Sequence, residues 1–520
     1  MTDSAPATGA QPNRTRSFHL RVFGCQMNFY DGELIRAGFL RRGYIETDSA
    51  DEADVCMFHT CSVREHAEER VHSLVGELRR VKKAKPQMVL AVVGCMADRE
   101  GQELFAREPH VDIVCGSRHF PSLPSFVDRV VGGEQRICEL GKAPGPVDAA
   151  KRDLSGRSEG FSAHVAVMRG CDLNCTYCIV PSVRGRVESR PVSEICSEVR
   201  ALVAAGVTEI QLLGQTVDAY GRDRKDGATL ASLVDKLSAM DDLQRLRLVT
   251  LHPSYVDKEL VAALARSRPF MRFLPIPMQS GSDRILKAMK RGYSVEGYRK
   301  KVKMLRGAMP DLELISDWIV GFPTETDEDF AMTEAAMTEF GFLQSYVFQY
   351  SPRPGTTAFE LADDIPREFK KKRNHRLLEL QRSISRERTL VQVGNEGLLM
   401  LESTPDDAPG MWAGRMQNGH RALLPHRDGF APGQTYSVDL VSCGKKALQA
   451  ADGLTPEEEE ALVTRARQEA AAAAKAAIQA AANSLEVADS MPLPMIAQDR
   501  PSDLKPGDPP ERGPHSSIEV

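Results

Sequence analysis

Three thiols fall within eight residues at Cys171-Asp172-Leu173-Asn174-Cys175-Thr176-Tyr177-Cys178, and this spacing limits what the chain can be more than any other feature. Iron in a 4Fe-4S cluster is ordinarily held by thiolates, one to each iron, so a Cys-x3-Cys-x2-Cys loop leaves one iron open to a ligand that is not protein. Chemistry can enter at that position. Two plainer readings compete: a structural zinc knuckle, or cysteines buried in a core. Zinc requires a fourth nearby Cys or His, and the closest histidine, His164, lies seven residues upstream on an expected strand.

The 520 residues exceed what one core supports, which predicts about two to four domains. Hydrophobic residues at 42% and charged residues at 27% match an ordinary soluble globular chain. Residues 1–16 are polar and carry no apolar signal segment, and no apolar run approaches a membrane span, so a cytoplasmic protein without a membrane partner is expected. Eleven cysteines in a long chain without export signals favour metal binding or catalysis over disulfides. Residues 451–520 hold 13 acids and 6 basic residues, so the first 450 carry a net +2 although the whole chain carries -5.

The N-terminal third alternates strands and helices. Strands are predicted at 18–23, 54–61, 88–95 and 111–114, with helices at 31–40 and 64–83 between them, a pattern that implies a parallel sheet covered on both faces. Cys25, Cys61, Cys95 and Cys115 all fall at the C-terminal ends of these strands, the edge where such sheets bind ligands. Three of them, brought together from separate loops, suit a second cluster with one open iron. A cysteine ending an apolar strand is also a small buried hydrophobe, and the pattern alone does not say which three are ligands. Cys56 and Cys138 read as core positions.

A Gly-, Pro- and Ser-rich stretch at 141–160 marks a domain boundary. Beyond it, strands are predicted at 164–168, 209–213, 246–251, 271–276, 313–320 and 345–350, with helices between them. Six strand-helix units suit an open partial barrel whose active face lies at the strand C-termini. With an aromatic before its last cysteine, the Cys171 loop at that face resembles the signature of the radical S-adenosylmethionine (SAM) superfamily, in which the SAM amine and carboxylate chelate the open iron. The other strand ends, Gly214-Gln215-Thr216, His252-Pro253, Gln279-Ser280-Gly281-Ser282 and Gly321-Phe322-Pro323, offer amides and hydroxyls for SAM's polar groups, with Gln215, Gln279 and Ser280 as the candidates.

Residues 365–388 form a basic helical connector with nine Lys or Arg against three acids. Short strands at 397–402, 411–416, 420–424 and 435–441 then suggest a small β-barrel of the kind that binds nucleic acid, with Arg415, Arg421, Arg427, Lys445 and Lys446 available for phosphates. Thr455-Pro456 opens an alanine-rich helix running toward Asn483, and the chain beyond Ser490 reads as disordered. The expected class is therefore α/β, with an N-terminal open parallel sheet domain at 17–135, a partial (β/α)6 barrel at 155–385 that resembles the radical SAM core, a small β-barrel at 388–450 that loosely resembles a TRAM domain, and a helical, disordered tail at 451–520.

Phe23-Gly24-Cys25-Gln26-Met27-Asn28, Thr60-Cys61-Ser62-Val63-Arg64-Glu65 and Gly94-Cys95-Met96-Ala97 resemble the three N-terminal cysteine motifs of the radical SAM methylthiotransferase family. Arg169-Gly170-Cys171 through Pro181, Arg184-Gly185-Arg186, Gln279-Ser280-Gly281-Ser282 and Tyr350 through Thr356 extend the resemblance, over about residues 17 to 450. It selects Cys25, Cys61 and Cys95 as ligands of one 4Fe-4S cluster, with Cys171, Cys175 and Cys178 holding the other. Cys-Gln-Met-Asn resembles the MiaB type, which modifies tRNA, rather than the RimO type, which methylthiolates an aspartate of a ribosomal protein and typically has Cys-Pro-Lys-Asn. His59, where the family usually has Asn, and Ser182, where Tyr is common, depart from the pattern.

The resemblance implies a tRNA-2-methylthio-N6-dimethylallyladenosine synthase. SAM cleaved at the central cluster yields a 5'-deoxyadenosyl radical that activates C2-H of an isopentenylated adenosine at position 37 beside the anticodon, and the second cluster supplies sulfur. It also implies the tRNA anticodon stem-loop as partner and a low-potential electron donor such as a flavodoxin or ferredoxin. The alternatives are RimO-like methylthiolation and a non-catalytic iron-sulfur RNA-binding protein.

Overall fold

The computed structural model describes residues 15–62, 65–141, 153–157, 160–444 and 447–451. The expected alanine-rich helix and polar tail lie outside the described residues, as do Lys445 and Lys446.

The N-terminal sheet has six parallel strands in the spatial order Ile45–Glu46, Ser17–Val22, Val55–Thr60, Val89–Gly94, Ile113–Cys115 and Ile137–Glu139. Two of these, Ile45–Glu46 and Ile137–Glu139, are short edge strands that the hydrophobic pattern did not reveal. Val55–Thr60 and Val89–Gly94 are buried at every position, as strands covered on both faces must be. Their side chains divide between two apolar layers, one around Phe18, Phe39 and Leu123 and one around Phe58, Val71 and Phe105. Chain order reverses between Ser17–Val22 and Val55–Thr60, and ligands bind outside the strand C-termini at such a switch point. Cys25 and Cys61 follow those two strands.

The central domain contains the six expected strands as two three-stranded parallel groups, Arg245–Leu248, Glu209–Leu213 and Ser162–Ala166, then Phe273–Pro275, Glu313–Val320 and Gln344–Gln349. A bridge between Leu246 and Phe270 joins them. Along Glu313–Val320, Leu314, Trp318 and Val320 pack under the helices, with Trp318 edge-on to Phe342. Ile315, Asp317 and Ile319 are half-buried on the opposite, inner face. Tyr346 and Phe348 stand in register with Asp317 and Ile319 and so share that face, 49% and 41% exposed. The barrel interior is thus open and partly polar, unlike the filled interior of a closed barrel.

The connector is the helix Arg367–Leu390. Part of its positive charge binds it to the core: Lys370 pairs with Asp363, Arg373 with Glu325 and Asp327, and Arg388 with Glu313. Arg367, Lys371, Lys372, Arg382 and Arg386 remain exposed.

The C-terminal barrel closes with five strands, the fifth being Leu448–Ala451, whose Leu-Gln-Ala-Ala sequence carries little β signal. It docks at the N-terminal ends of the central strands, where Arg272 N donates to Gln417 O at 2.8 Å and Arg245 Nη2 to Arg415 O at 3.0 Å. That end is opposite the Cys171 loop. Arg415 pairs with Glu402 and Arg421 with Asp407. Among the described residues, no helix is long and apolar enough to cross a membrane.

Candidate active site

None of the eleven cysteines is in a disulfide. Cys25 caps the N-terminus of the helix Gln26–Leu40, which starts five residues earlier than its periodicity suggested, and Cys25 O accepts from Asn28 N and Phe29 N. The positive helix end and its amides favour a thiolate. A hydrogen bond from Cys61, aided by Arg184 and outweighing burial, holds Cys25 down at about 6. The two loops approach so closely that a Cβ on Gly24, at φ +114°, would lie 2.4 Å from Cys61 Cβ; only glycine fits. Cys95 begins the short helix Cys95–Glu100, fully buried. Burial raises its thiol, and Arg184 opposes the rise.

Arg184 comes from the central domain, at the end of the short helix Val180–Arg184 that follows Cys178. It is buried, and its three nitrogens are all engaged: Nε donates to Cys95 Sγ at 3.2 Å, Nη1 to Asp31 Oδ2 at 3.1 Å and Nη2 to Asn28 Oδ1 at 2.7 Å. Asp31, also fully buried, accepts at 2.5 Å from Arg169. Burial acts to raise the Asp31 carboxyl, but the two guanidiniums prevail and hold it below its ordinary value. Two fixed positive charges thus face Asp31 beside the thiols, and Asp98, whose carboxyl is raised by burial, is a second acid near Cys95. His59 lies in the same cradle, fully buried, and burial pushes it down to about 4, so it is neutral at pH 7. Neither of its ring nitrogens, nor Thr60 Oγ1, has a hydrogen-bond partner among the described residues.

The fourth strand-end thiol, Cys115, points elsewhere. It packs in the apolar layer with Phe120 and Leu123, and burial raises it well above the usual thiol range. Cys56 is likewise a core thiol, pushed up to about 12 by burial, whereas Cys138 is half-buried on the edge strand.

The central thiols are arranged differently. Gly170, at φ +74°, lies so close to the returning chain that a Cβ there would meet Arg186 O at 2.0 Å. The loop is pinned from outside: Cys171 N donates to Gly185 O, Thr176 N to Met289 O, and Ala358 N to Thr176 O. Cys171 Sγ stands 3.3 Å from Thr216 Oγ1, and burial raises its thiol. Cys178 is pushed up to about 12 by burial. Arg291, buried on the same side, donates through Nη1 to Cys175 Sγ at 3.3 Å, through Nη2 to Pro277 O at 3.3 Å and through Nε to Tyr293 OH at 3.1 Å.

Two more titratable groups line this side. Burial pushes Asp218 up to about 8 despite the His252 N–H it accepts. Burial, with Arg291, pushes His252 down to about 3.

Among the expected SAM contacts, Gln215 keeps a buried Oε1 without a partner among the described residues. Gln279 is held at φ +73°, rare for a residue with a side chain and a mark of strain found at functional strand ends. The Ser280 hydroxyl accepts from Ser282 N and lies 3.4 Å from Thr333 Oγ1.

Both thiol groups fit an anionic, sulfur-rich cofactor. Each is faced by a buried guanidinium donating to one sulfur, and by a histidine nitrogen lacking a partner among the described residues, which as an N–H can donate to a sulfide. Among the described residues, no three His, Cys, Asp or Glu side chains converge on a single-ion position. A 4Fe-4S cluster needs no such convergence, because its thiolates bind separate irons. Arg184, Arg291, Tyr346 and Phe348 escaped the sequence reading. Arg184 and Arg291 lie 89 and 116 residues from the thiols they meet, and only the matched motif around Arg184 hinted at either.

A model described as Uncharacterized protein family UPF0004 matches residues 17–116, and one for the Radical SAM superfamily matches residues 165–336. A tRNA-2-methylthio-N(6)-dimethylallyladenosine synthase of Thermobifida fusca is 37% identical over 85% of this chain and 90% of its own. Enzymes of the same name from Aquifex aeolicus, 40% identical over 71% of this chain and 84% of its own, and from Cereibacter sphaeroides, 38% identical over 84% and 98%, are similarly related. The solved radical SAM methyltransferase TsrM from Kitasatospora setae aligns over 66% of this chain and 77% of its own, at 15% identity and a TM-score of 0.49.

Proposed function

This chain belongs to the radical SAM methylthiotransferase family, with relatives named tRNA-2-methylthio-N(6)-dimethylallyladenosine synthase, and on that premise we propose that it adds a methylthio group to C2 of an isopentenylated adenosine beside the tRNA anticodon. The observation that carries the reading is the contact between the segment after Cys178 and the N-terminal thiols, with Arg184 reaching Cys95. When bound, SAM and the two clusters supply a carbon radical able to take hydrogen from an unactivated C–H and the sulfur that replaces it, chemistry beyond any acid or base side chain.

The chain's own residues bind and orient. Cys171, Cys175 and Cys178 would hold the radical-generating cluster, and Cys25, Cys61 and Cys95 the sulfur-bearing one. Gln215, Gln279 and Ser280 lie at strand ends suited to SAM's polar groups. Arg291 and Arg184 neutralise buried thiolate charge. Tyr346 and Phe348, on the open inner face, offer rings on which a base splayed from a single-stranded loop can stack. The exposed Lys371, Lys372 and Arg386 suit RNA phosphates. Electrons come from a low-potential flavodoxin- or ferredoxin-like donor, and a tRNA substrate fits a cytoplasmic location.

Nucleoside mass spectrometry of tRNA from cells lacking the chain tests the reading. The methylthio mark on the isopentenylated adenosine is expected to vanish. Unchanged tRNA, with a ribosomal protein lighter by one methylthio group, points instead to the RimO-type reaction.

A further inference from the structure

Arg184 is more than a brace between domains. Bracing is already provided nearby, where Arg118 Nη1 pairs with Glu188 at 2.6 Å and Ser117 Oγ donates to Val183 O at 3.1 Å. Arg184 instead extends past these contacts to a fully buried sulfur, and Asp31 and Asn28 fix the other two corners of its guanidinium. Asp31 already shares its charge with Arg169. The Arg184 charge is directed through Nε at Cys95. A guanidinium cannot shed its proton to relieve burial, so this charge is permanent. A cluster on three thiolates is anionic and becomes more so when it gains an electron, and a fixed cation at hydrogen-bond distance favours the reduced state. Ile179 and Val183 of the same segment pack against Cys95, so the chain that leaves one thiol group carries the charge to the other.

We propose that Arg184, supplied by the radical domain, is the positioning residue of the N-terminal cluster, holding Cys95 in place and providing the charge that sets how readily that cluster accepts an electron. The assignment rests on Cys25, Cys61 and Cys95 being the ligands. The step is a one-electron transfer from a mediator dye to the cluster, with no bond made or broken and no proton moved.

The test is redox titration, followed by electron paramagnetic resonance, of the full chain with Cys171, Cys175 and Cys178 changed to Ala, so that only the N-terminal cluster reports. Arg184→Gln is expected to shift the reduction equilibrium at least tenfold toward the oxidised form, about 59 mV for one electron. Arg184→Lys should restore most of it, and Arg118→Gln, which removes the pair with Glu188 and a 3.4 Å hydrogen bond to Arg184 O but no contact to the sulfur, should shift it far less. Loss of the irons in Arg184→Gln but not in Arg184→Lys also supports the assignment, because Lys keeps the positive charge that Gln removes. An unchanged potential in Arg184→Gln, an equal shift in Arg118→Gln, or loss of the irons in both Arg184 variants overturns it. Absence of iron in the parent protein would instead break the ligand reading itself.

Discussion

The two thiol groups solve the same electrostatic problem in opposite ways. Each places a buried guanidinium on one sulfur, Arg184 on Cys95 and Arg291 on Cys175, and each adds a buried neutral histidine, His59 or His252. The N-terminal group draws its guanidinium from the central part of the chain and pairs it with an ionised carboxylate, Asp31, that Arg169 also shares. The central group draws Arg291 from its own domain, and its nearby carboxylate, Asp218, is raised to about 8 and so largely protonated at pH 7. One site thus takes its guanidinium from a distant part of the chain, the other from the segment that carries its own strands. Damage at the interface should therefore fall on the N-terminal site and spare the central one.

The largest expected contrast is chemical. Cys171→Ala should leave the N-terminal irons, about four of about eight, yet abolish reductive cleavage of SAM, as read by iron analysis and 5'-deoxyadenosine release. Next come the carboxylates. Asp31→Asn leaves two buried guanidiniums without their counter-charge and should cost about 3–5 kcal/mol in urea unfolding of the iron-free chain. Asp218→Asn replaces one neutral group by another and should cost about 1 kcal/mol or less. Equal costs would break the distinction between the sites.

A smaller effect is pH-dependent. The unfolded chain protonates His252 near pH 6.5, whereas the folded chain does so only at about 3. Between those values the unfolded state binds more protons, so stability falls as pH is lowered. The loss on going from pH 7 to about pH 4 should be roughly 2–3 kcal/mol from this residue, and His252→Gln should flatten that part of the stability profile. A parallel profile in the variant would mean that His252 is protonated in the folded chain.

Much of this architecture was legible because parallel strands covered on both faces read as unbroken apolar runs. Val89–Gly94 and the first four residues of Val55–Thr60 are of this kind, and the thiols after these strands mark the sheet's binding edge. The start of the helix at Gln26 was hidden because Gln-Met-Asn-Phe-Tyr lacks a helical apolar period, although the loop geometry needs the helix end at Cys25. Leu448–Ala451 was missed because its strand character comes from closing the barrel rather than from its residues. Nor can spacing report a charge count. That Asp31 faces two guanidiniums, and that Cys115 turns into the core while Cys95 meets Arg184, depends on contacts between residues far apart in the chain.

The division of labour between the two thiol groups is tested most directly by replacing Cys25, Cys61 and Cys95 together with Ala and assaying the reconstituted protein with SAM, reductant and isopentenylated tRNA. The variant should hold about half the parent's iron, still release 5'-deoxyadenosine on reduction, and form no methylthio product. Methylthio product from this variant, or loss of SAM cleavage with the central irons intact, would contradict a sulfur-supplying site separate from the radical-generating one.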